Sequence, residues 1–140
     1  MNAPVARARV AVHLLVAAQA AERRALLARA LAQRPAGAHW AVLIEGLAAG
    51  LPTLPPEVVV IPLAGCACCT GATVLRVTLV RLLRHGGLDA ILIVPGAAAR
   101  PVAIAAMLAA PPFDTLVDLQ APQSPPPDVS VHHPDQPQRQ

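Results

Sequence analysis

The amino-acid sequence predicts an α/β protein with a three-layer, mostly parallel open sheet of about five strands. The first observation is that continuous aliphatic runs of strand length alternate with segments whose apolar residues repeat at helical spacing. The second is composition, because 55% of the 140 residues are hydrophobic but only 1% are aromatic. The core is therefore expected to consist of aliphatic side chains, as in domains whose helices cover both faces of a parallel sheet.

The first half of the chain contains three predicted strands and one predicted helix. A continuous aliphatic run predicts the first strand over residues 9–17. Residues 19–33 predict an amphipathic helix, because Leu and Ala occupy one face and most arginines lie elsewhere. Two further strands are predicted at residues 40–44 and 57–63, and the prolines between them favour a non-helical connection.

The second half contains two predicted helices and two predicted strands. Leucines at helical spacing after the cysteines predict a helix that ends at Gly86 and Gly87. Residues 89–95 predict the fourth strand, and a short helix follows with Pro101 near its first turn. A fifth strand is predicted over residues 114–119. The sequence thus predicts one domain over residues 1–120 and a disordered Pro- and Gln-rich tail over residues 121–140.

All three cysteines of the chain lie within the segment LAGCACCTGA, at Cys66, Cys68 and Cys69. These spacings are too short for a disulfide framework, so they predict a reducing compartment and a cytoplasmic location. The first twenty residues also resemble a secretory signal, but their apolar run is short, contains His13 and leads into a predicted helix. No stretch approaches the roughly 18 apolar residues of a membrane span.

The cysteine segment lies between a predicted strand end and a predicted helix start, where open α/β sheets bind ligands. A helix N-terminus lowers the pKa of nearby thiols and raises the thiolate fraction that binds soft metals. Three thiolates suit zinc or copper(I), with a fourth position left for water, a substrate or another residue. Thiol redox chemistry and a purely structural role remain the alternatives.

Two segments carry a resemblance to a known family. GCACCTGATVLRVTLVRLLR resembles the G-C-x-C-C turn and following helix of the CobW-type P-loop GTPases, which include zinc metallochaperones. LDAILIVPGAAARP is similar to the next strand and switch segment of that family. The resemblance spans residues 8–120. It implies a P-loop NTPase-like fold and a zinc motif at Cys66, Cys68 and Cys69 beside a GTP site that controls metal transfer.

The phosphate loop of that family is degenerate in this chain. Such a loop needs glycines, a Lys for the β- and γ-phosphates and a Ser or Thr for magnesium, but the chain reads VAAQAAERRALL. Ala17 and Ala20 stand at glycine positions, Glu22 stands at the last glycine, and Arg23 and Arg24 take the Lys and Thr positions. Because all eleven basic residues are arginine, no shifted alignment restores the Lys.

The switch segment and the C-terminal end of the chain also lack residues that the family uses to bind magnesium and guanine. Val94 and Ala97 replace the acidic residue and the glycine, while Pro95 and Pro101 match. No guanine-recognition segment of N-K-x-D type follows, and the family's large C-terminal portion is absent. We therefore expect a degenerate, truncated relative that binds zinc and has no catalytic residues, no bound GTP or magnesium and no GTP hydrolysis. An active GTPase with an atypical phosphate loop, or a non-metal scaffold or thiol protein, is the alternative hypothesis.

Other ionisable side chains are weaker candidates for function: Glu45, His39, His85, Asp114, Asp118, His132 and His133. His85 ends a predicted helix, about 20 Å from the cysteines, and His132 and His133 would lose chain entropy on binding a metal. The predicted partners are a metal-recipient protein or a second copy of the chain. Nucleic acid is not expected, because the arginines are scattered and stacking aromatics are almost absent. No membrane partner is expected.

Overall fold

The computed structural model of the protein describes residues 8–46, 51, 53–64 and 73–125. In chain order its elements are β1 (Val10–Leu14), α1 (Ala20–Ala32), β2 (Trp40–Glu45), β3 (Val58–Leu63), α2 (Thr73–His85), β4 (Ala90–Val94), α3 (Pro101–Leu108), a single 3-10 turn (Phe113–Thr115) and β5 (Val117–Leu119). The strands form one sheet in the order β3-β2-β4-β1-β5. Every strand pair in it is parallel. The predicted α/β class is confirmed.

Helices cover both faces of the sheet. On one face, Leu27 of α1 belongs to a buried aliphatic cluster with Leu92 of β4. On the other face, Leu79 of α2 and Ile104 of α3 belong to a second cluster with Ile93 of β4. All five residues of β4 are buried, which explains why the central strand is a continuous aliphatic run rather than an alternating one.

The connections reverse direction between β1 and β4. The chain leaves β1 through α1 toward β2, past β4, whereas it leaves β4 through α3 toward β5 on the other side of β1. Right-handed crossovers in opposite directions place these helices on opposite faces. Neighbouring strands with diverging connections define the crevice at which open α/β sheets bind ligands, at the carboxyl ends of the strands.

A difference in the type of local structure from the sequence prediction lies before β5. The predicted strand over residues 114–119 is shortened to Val117–Leu119, and Phe113–Thr115 form a 3-10 turn instead. This turn buries Phe113 completely. Burial of the aromatic ring in the core therefore takes precedence over extension of the strand.

Backbone pairing continues beyond β5. Gln123 donates its backbone N–H to the carbonyl of Leu14 at 2.9 Å, and its own carbonyl accepts the N–H of Val16 at 2.8 Å. This contact joins Leu15 and Gln123 in an isolated parallel bridge. The chain thus stays paired with the sheet three residues past the predicted domain end at residue 120.

Candidate functional site at the carboxyl edge of the sheet

Three connections leave the carboxyl edge of the sheet, after β1, β3 and β4. Leu14 pairs with Ile93, Ile44 pairs with Val94, and Glu45 pairs with Leu63. The segment predicted to be a degenerate phosphate loop follows β1, the predicted switch segment follows β4, and the cysteine segment follows β3. The fold therefore directs all three sequence-predicted segments to one edge.

The N-terminus of α1 is capped by the carboxylate of Glu22, which lies in the first turn of the helix. Gln19 is the N-cap of the helix, and its backbone N–H donates to Glu22 Oε1 at 3.3 Å. A carboxylate at this position satisfies a backbone donor and interacts favourably with the positive end of the helix dipole. Glu22 therefore places a negative charge at the N-terminus of α1, where the resemblance would place a phosphate.

Arg23 is directed at backbone carbonyls of the same loop. One guanidinium nitrogen donates to the carbonyls of Ala17 and Ala18 at 3.0 and 3.1 Å. A phosphate cradle presents N–H donors to its anion, whereas this loop presents carbonyl oxygens to a cation. Ala20 and Arg24 are exposed. The loop is thus arranged around an arginine rather than around a phosphate.

Glu45, at the end of β2, reaches across to the connection after β4. Its Oε2 accepts the backbone N–H of Gly96 at 3.0 Å. A Cβ placed on Gly96 would lie 2.6 Å from Glu45 Oε1, so the close approach requires glycine at this position. The sequence leaves Glu45 out of clear register with any motif, and the structure shows that it links the end of β2 to the connection after β4.

Residues 65–72 of the cysteine segment, which include Cys66, Cys68 and Cys69, lie outside the described residues. The residues on either side are described: Leu63 is buried and pairs with Glu45, and Thr73 is the first residue of α2. Within the described ranges, no three His, Cys, Asp or Glu side chains come together as a metal-binding group. The assignment of Cys66, Cys68 and Cys69 as metal ligands therefore stays a prediction.

The other sequence candidates are scattered. His85 ends α2, at the opposite end from the cysteine segment. The backbone N–H of His39 donates to a carboxylate oxygen of Asp89 at 2.8 Å, which ties together the starts of β2 and β4. Asp114 lies in the 3-10 turn and Asp118 within β5. His132 and His133 lie outside the described residues.

The sequence predicts no function for His13, but the structure shows that this side chain has an unusual environment. Its Nδ1 is buried and has no hydrogen-bond partner among the described residues. Burial lowers the pKa of His13 from its usual value of 6.5, because a charged imidazolium would lose hydration. In the sequence, this environment is indicated by the position of His13 as a polar residue within the aliphatic run that forms β1.

Comparisons with protein families, curated proteins and solved structures found no match for this chain. None of the helices in the described ranges is long and apolar enough to cross a membrane. The resemblance to CobW-type GTPases consequently depends on the quoted motifs alone.

Proposed function

We propose that the protein is a CobW-like zinc-handling protein that has lost GTP hydrolysis, acts in the cytoplasm and holds zinc through Cys66, Cys68 and Cys69. The observation that carries this proposal is the placement of three cysteines within four positions, in the connection between β3 and α2. The metal would pass to a recipient protein or be shared with a second copy of the chain.

The donor set fits zinc chemically. Three thiolates are a common part of tetrahedral zinc sites and leave one position for an exchangeable ligand. Because α2 begins at Thr73, four residues after Cys69, the cysteines precede the positive end of a helix dipole. Such a field favours thiolates, which are the form that binds zinc.

The loop after β1 supports the loss of nucleotide binding. The Glu22 carboxylate caps α1, and Arg23 engages the carbonyls of Ala17 and Ala18. GTP binding there would require a phosphate to approach the Glu22 carboxylate and the carbonyl oxygens of Ala17 and Ala18, which disfavour an anion. These contacts are the physical reason to expect zinc binding without nucleotide control.

Metal content measured by mass spectrometry tests the metal part of the proposal. Protein purified without a metal-binding tag and loaded anaerobically should retain about one zinc per chain, and the Cys66→Ser, Cys68→Ser, Cys69→Ser variant should retain none. A His39→Gln, His85→Gln variant is the matched control and should retain zinc. Circular dichroism establishes that each variant is folded. Absence of zinc from the folded wild-type protein would leave the thiol or scaffold hypothesis.

Fluorescent GTP binding in magnesium buffer tests the nucleotide part. We expect neither saturable binding nor phosphate release in the wild-type protein. Magnesium-dependent GTP turnover by the zinc-loaded protein would contradict the proposal and support an active GTPase with an atypical phosphate loop.

A further inference from the structure

A groove of about 310 Å³ lies between α2 and the edge strand β3. Its lining consists of Ile61, Thr78, Arg81, Leu82 and His85. Because Ile61 packs on the α2 side of the sheet, Val59, two residues earlier, faces the same side. Val59 is 49% exposed. Helix α2 therefore leaves part of the edge strand uncovered, and we call this surface, with Val59 and Val74 at its ends, the α2–β3 groove.

One side of the α2–β3 groove is a continuous stripe along α2. Val74, Thr78, Arg81 and His85 are four, three and four residues apart, so they lie on one flank of the helix. Val74 is 41% exposed. The hydroxyl of Thr78 donates to the backbone carbonyl of Val74 at 2.8 Å, so its proton is already used within the helix. From Val74 to His85 the stripe spans about 16 Å, the length of about three turns of a second helix.

The charge of this surface is entirely basic. Neither α2 nor β3 contains Asp or Glu, whereas α2 contains three arginines and ends in His85. Arg76 lies over the ring of Phe113. Arg81 and Arg84 are exposed and form no ion pair with any residue that the structure describes. The exposed valines are thus flanked by positive charges that are not neutralised within the described domain.

The combination of apolar surface and basic charge determines which occupant fits best. A second copy of the chain would bring the same arginines against this surface, which like-charge repulsion disfavours. Nucleic acid would use the arginines, but the groove lining offers no aromatic side chain on which a base could stack. A helix with one apolar face and acidic flanks would use both features, in the manner of other helices that bind in grooves.

We propose that the α2–β3 groove binds an acidic amphipathic helix of a partner protein. The apolar face of that helix contacts Val59, Ile61 and Val74, and its carboxylates pair with Arg81 and Arg84. This binding requires neither a cysteine nor a metal. Only the identification of the partner as the metal recipient rests on the proposed function, because Val74 follows Cys69 by five residues in the chain.

Binding of a synthetic peptide to the full-length protein tests the proposal in the absence of zinc. The probe is a dye-labelled helix of about 15 residues, held helical by a hydrocarbon cross-link, with Leu at helical spacing and Glu at the flanking positions. Fluorescence anisotropy should show saturable binding with a Kd of roughly 10–100 μM. A peptide of the same composition without the helical spacing, and one with Lys in place of Glu, should bind at least about tenfold more weakly.

Two pairs of variants assign the binding to the α2–β3 groove. Arg81→Glu should weaken peptide binding about tenfold or more, whereas Arg29→Glu, which makes the same charge change on exposed surface of α1, should leave it nearly unchanged. Val59→Thr retains a β-branched residue in the strand and should also weaken binding. Its control is Val102→Thr, at an exposed valine of α3, which should bind as the wild type does.

Several results would overturn the proposal. These are a lack of peptide binding to the folded wild-type protein, equal binding of the Lys peptide, and undiminished binding in folded Arg81→Glu. Binding to vesicles of phosphatidylglycerol and phosphatidylcholine that depends on Arg81, without peptide binding, would assign the surface to lipid instead. A wild-type dimer in sedimentation that Arg81→Glu dissociates would assign it to a second copy. Because the assay contains no zinc, its failure would leave the proposed metal binding standing.

Discussion

His13 places an imidazole in a strand whose other four residues are aliphatic. A buried polar atom without a hydrogen bond costs about 1–3 kcal/mol of stability. Burial also lowers the pKa of this ring, so its protonation is less favourable in the folded protein than in the unfolded chain. This residue therefore links the stability of the domain to pH.

The pH dependence of that stability follows from the direction of the pKa change. Below pH 6.5, the usual pKa of a histidine side chain, the unfolded chain takes up a proton that the folded chain still excludes, so the free energy of unfolding should fall. Above that pH, the free energy of unfolding should not depend on the titration of His13. Below the pKa of His13 in the folded protein, the decrease caused by this residue should level off. Urea unfolding followed by Trp40 fluorescence at several pH values measures this dependence.

The matched variant for this prediction is His13→Leu, which has no titrating group at the position. Its free energy of unfolding should decrease less between about pH 7 and pH 5 than that of the wild-type protein, while His39→Gln should behave as the wild type. An equal acid sensitivity in His13→Leu would assign the effect to other groups.

Individual residues also show how much of the candidate site could be predicted from the sequence. The residue types of Glu22 and Arg23 already predicted that the loop after β1 departs from a phosphate-loop pattern. Their contacts were not predictable, because the hydrogen bond of Arg23 to Ala17 depends on how the loop folds back on α1. The orphaned nitrogen of His13 was equally hidden, since a missing partner is a property of the packed structure.

At the scale of elements, the helices were predicted more accurately than the strand ends. The helix predicted over residues 19–33 is observed as Ala20–Ala32, with Gln19 and Gln33 as its caps. The predicted first strand over residues 9–17 is observed as Val10–Leu14. Apolar residues continue past Leu14 because the following segment is also buried, so hydrophobicity alone could not locate the strand end.

The contact between β2 and the connection after β4 yields a prediction about two elements. Gly96→Ala should displace the Glu45 carboxylate and break its hydrogen bond to the Gly96 N–H, because the added Cβ would lie 2.6 Å from Oε1. We expect a loss of about 1 kcal/mol in the free energy of unfolding. Chemical denaturation of the single variants Gly96→Ala and Glu45→Ala and of the double variant measures it.

The double variant decides whether the two residues act together. If the carboxylate contact is responsible, Gly96→Ala should cost less in the Glu45→Ala background, with a coupling energy of about 0.5 kcal/mol or more. Additive losses would show that the glycine is needed for its backbone alone.

At the scale of the whole molecule, the sequence predicted the number of strands and their parallel arrangement but not their order. Composition and periodicity report whether a segment is buried, and β2 and β4 have similar aliphatic compositions. In the structure β4 lies between β1 and β2, and α1 and α3 pack on opposite faces of the sheet. Such choices involve contacts between distant parts of the chain, which local patterns do not encode.

Truncation tests how far the folded unit extends. A chain ending at Pro125 keeps all the described sheet contacts, whereas one ending at Gln120 loses both backbone hydrogen bonds of Gln123. Since each such bond contributes about 0.5–1.5 kcal/mol, the shorter chain should be less stable by about 1–3 kcal/mol. Thermal unfolding compares the two, and equal stabilities would place the end of the unit at residue 120.

The position of β1 in the sheet has a consequence for how the protein is made. Its partners in the described sheet are β4 and β5, so Val12 pairs with Ile91 and Val10 pairs with Val117. A growing chain that has released β1, β2 and β3 can form only the pair between β2 and β3. During that time an aliphatic strand has no neighbour to hydrogen-bond, and pairing over such long separations is slow. Of the five described strands, β1 is synthesised earliest yet finds its partners only after β4 has been made. Until then the unfinished chain exposes an aliphatic strand that can aggregate with other proteins.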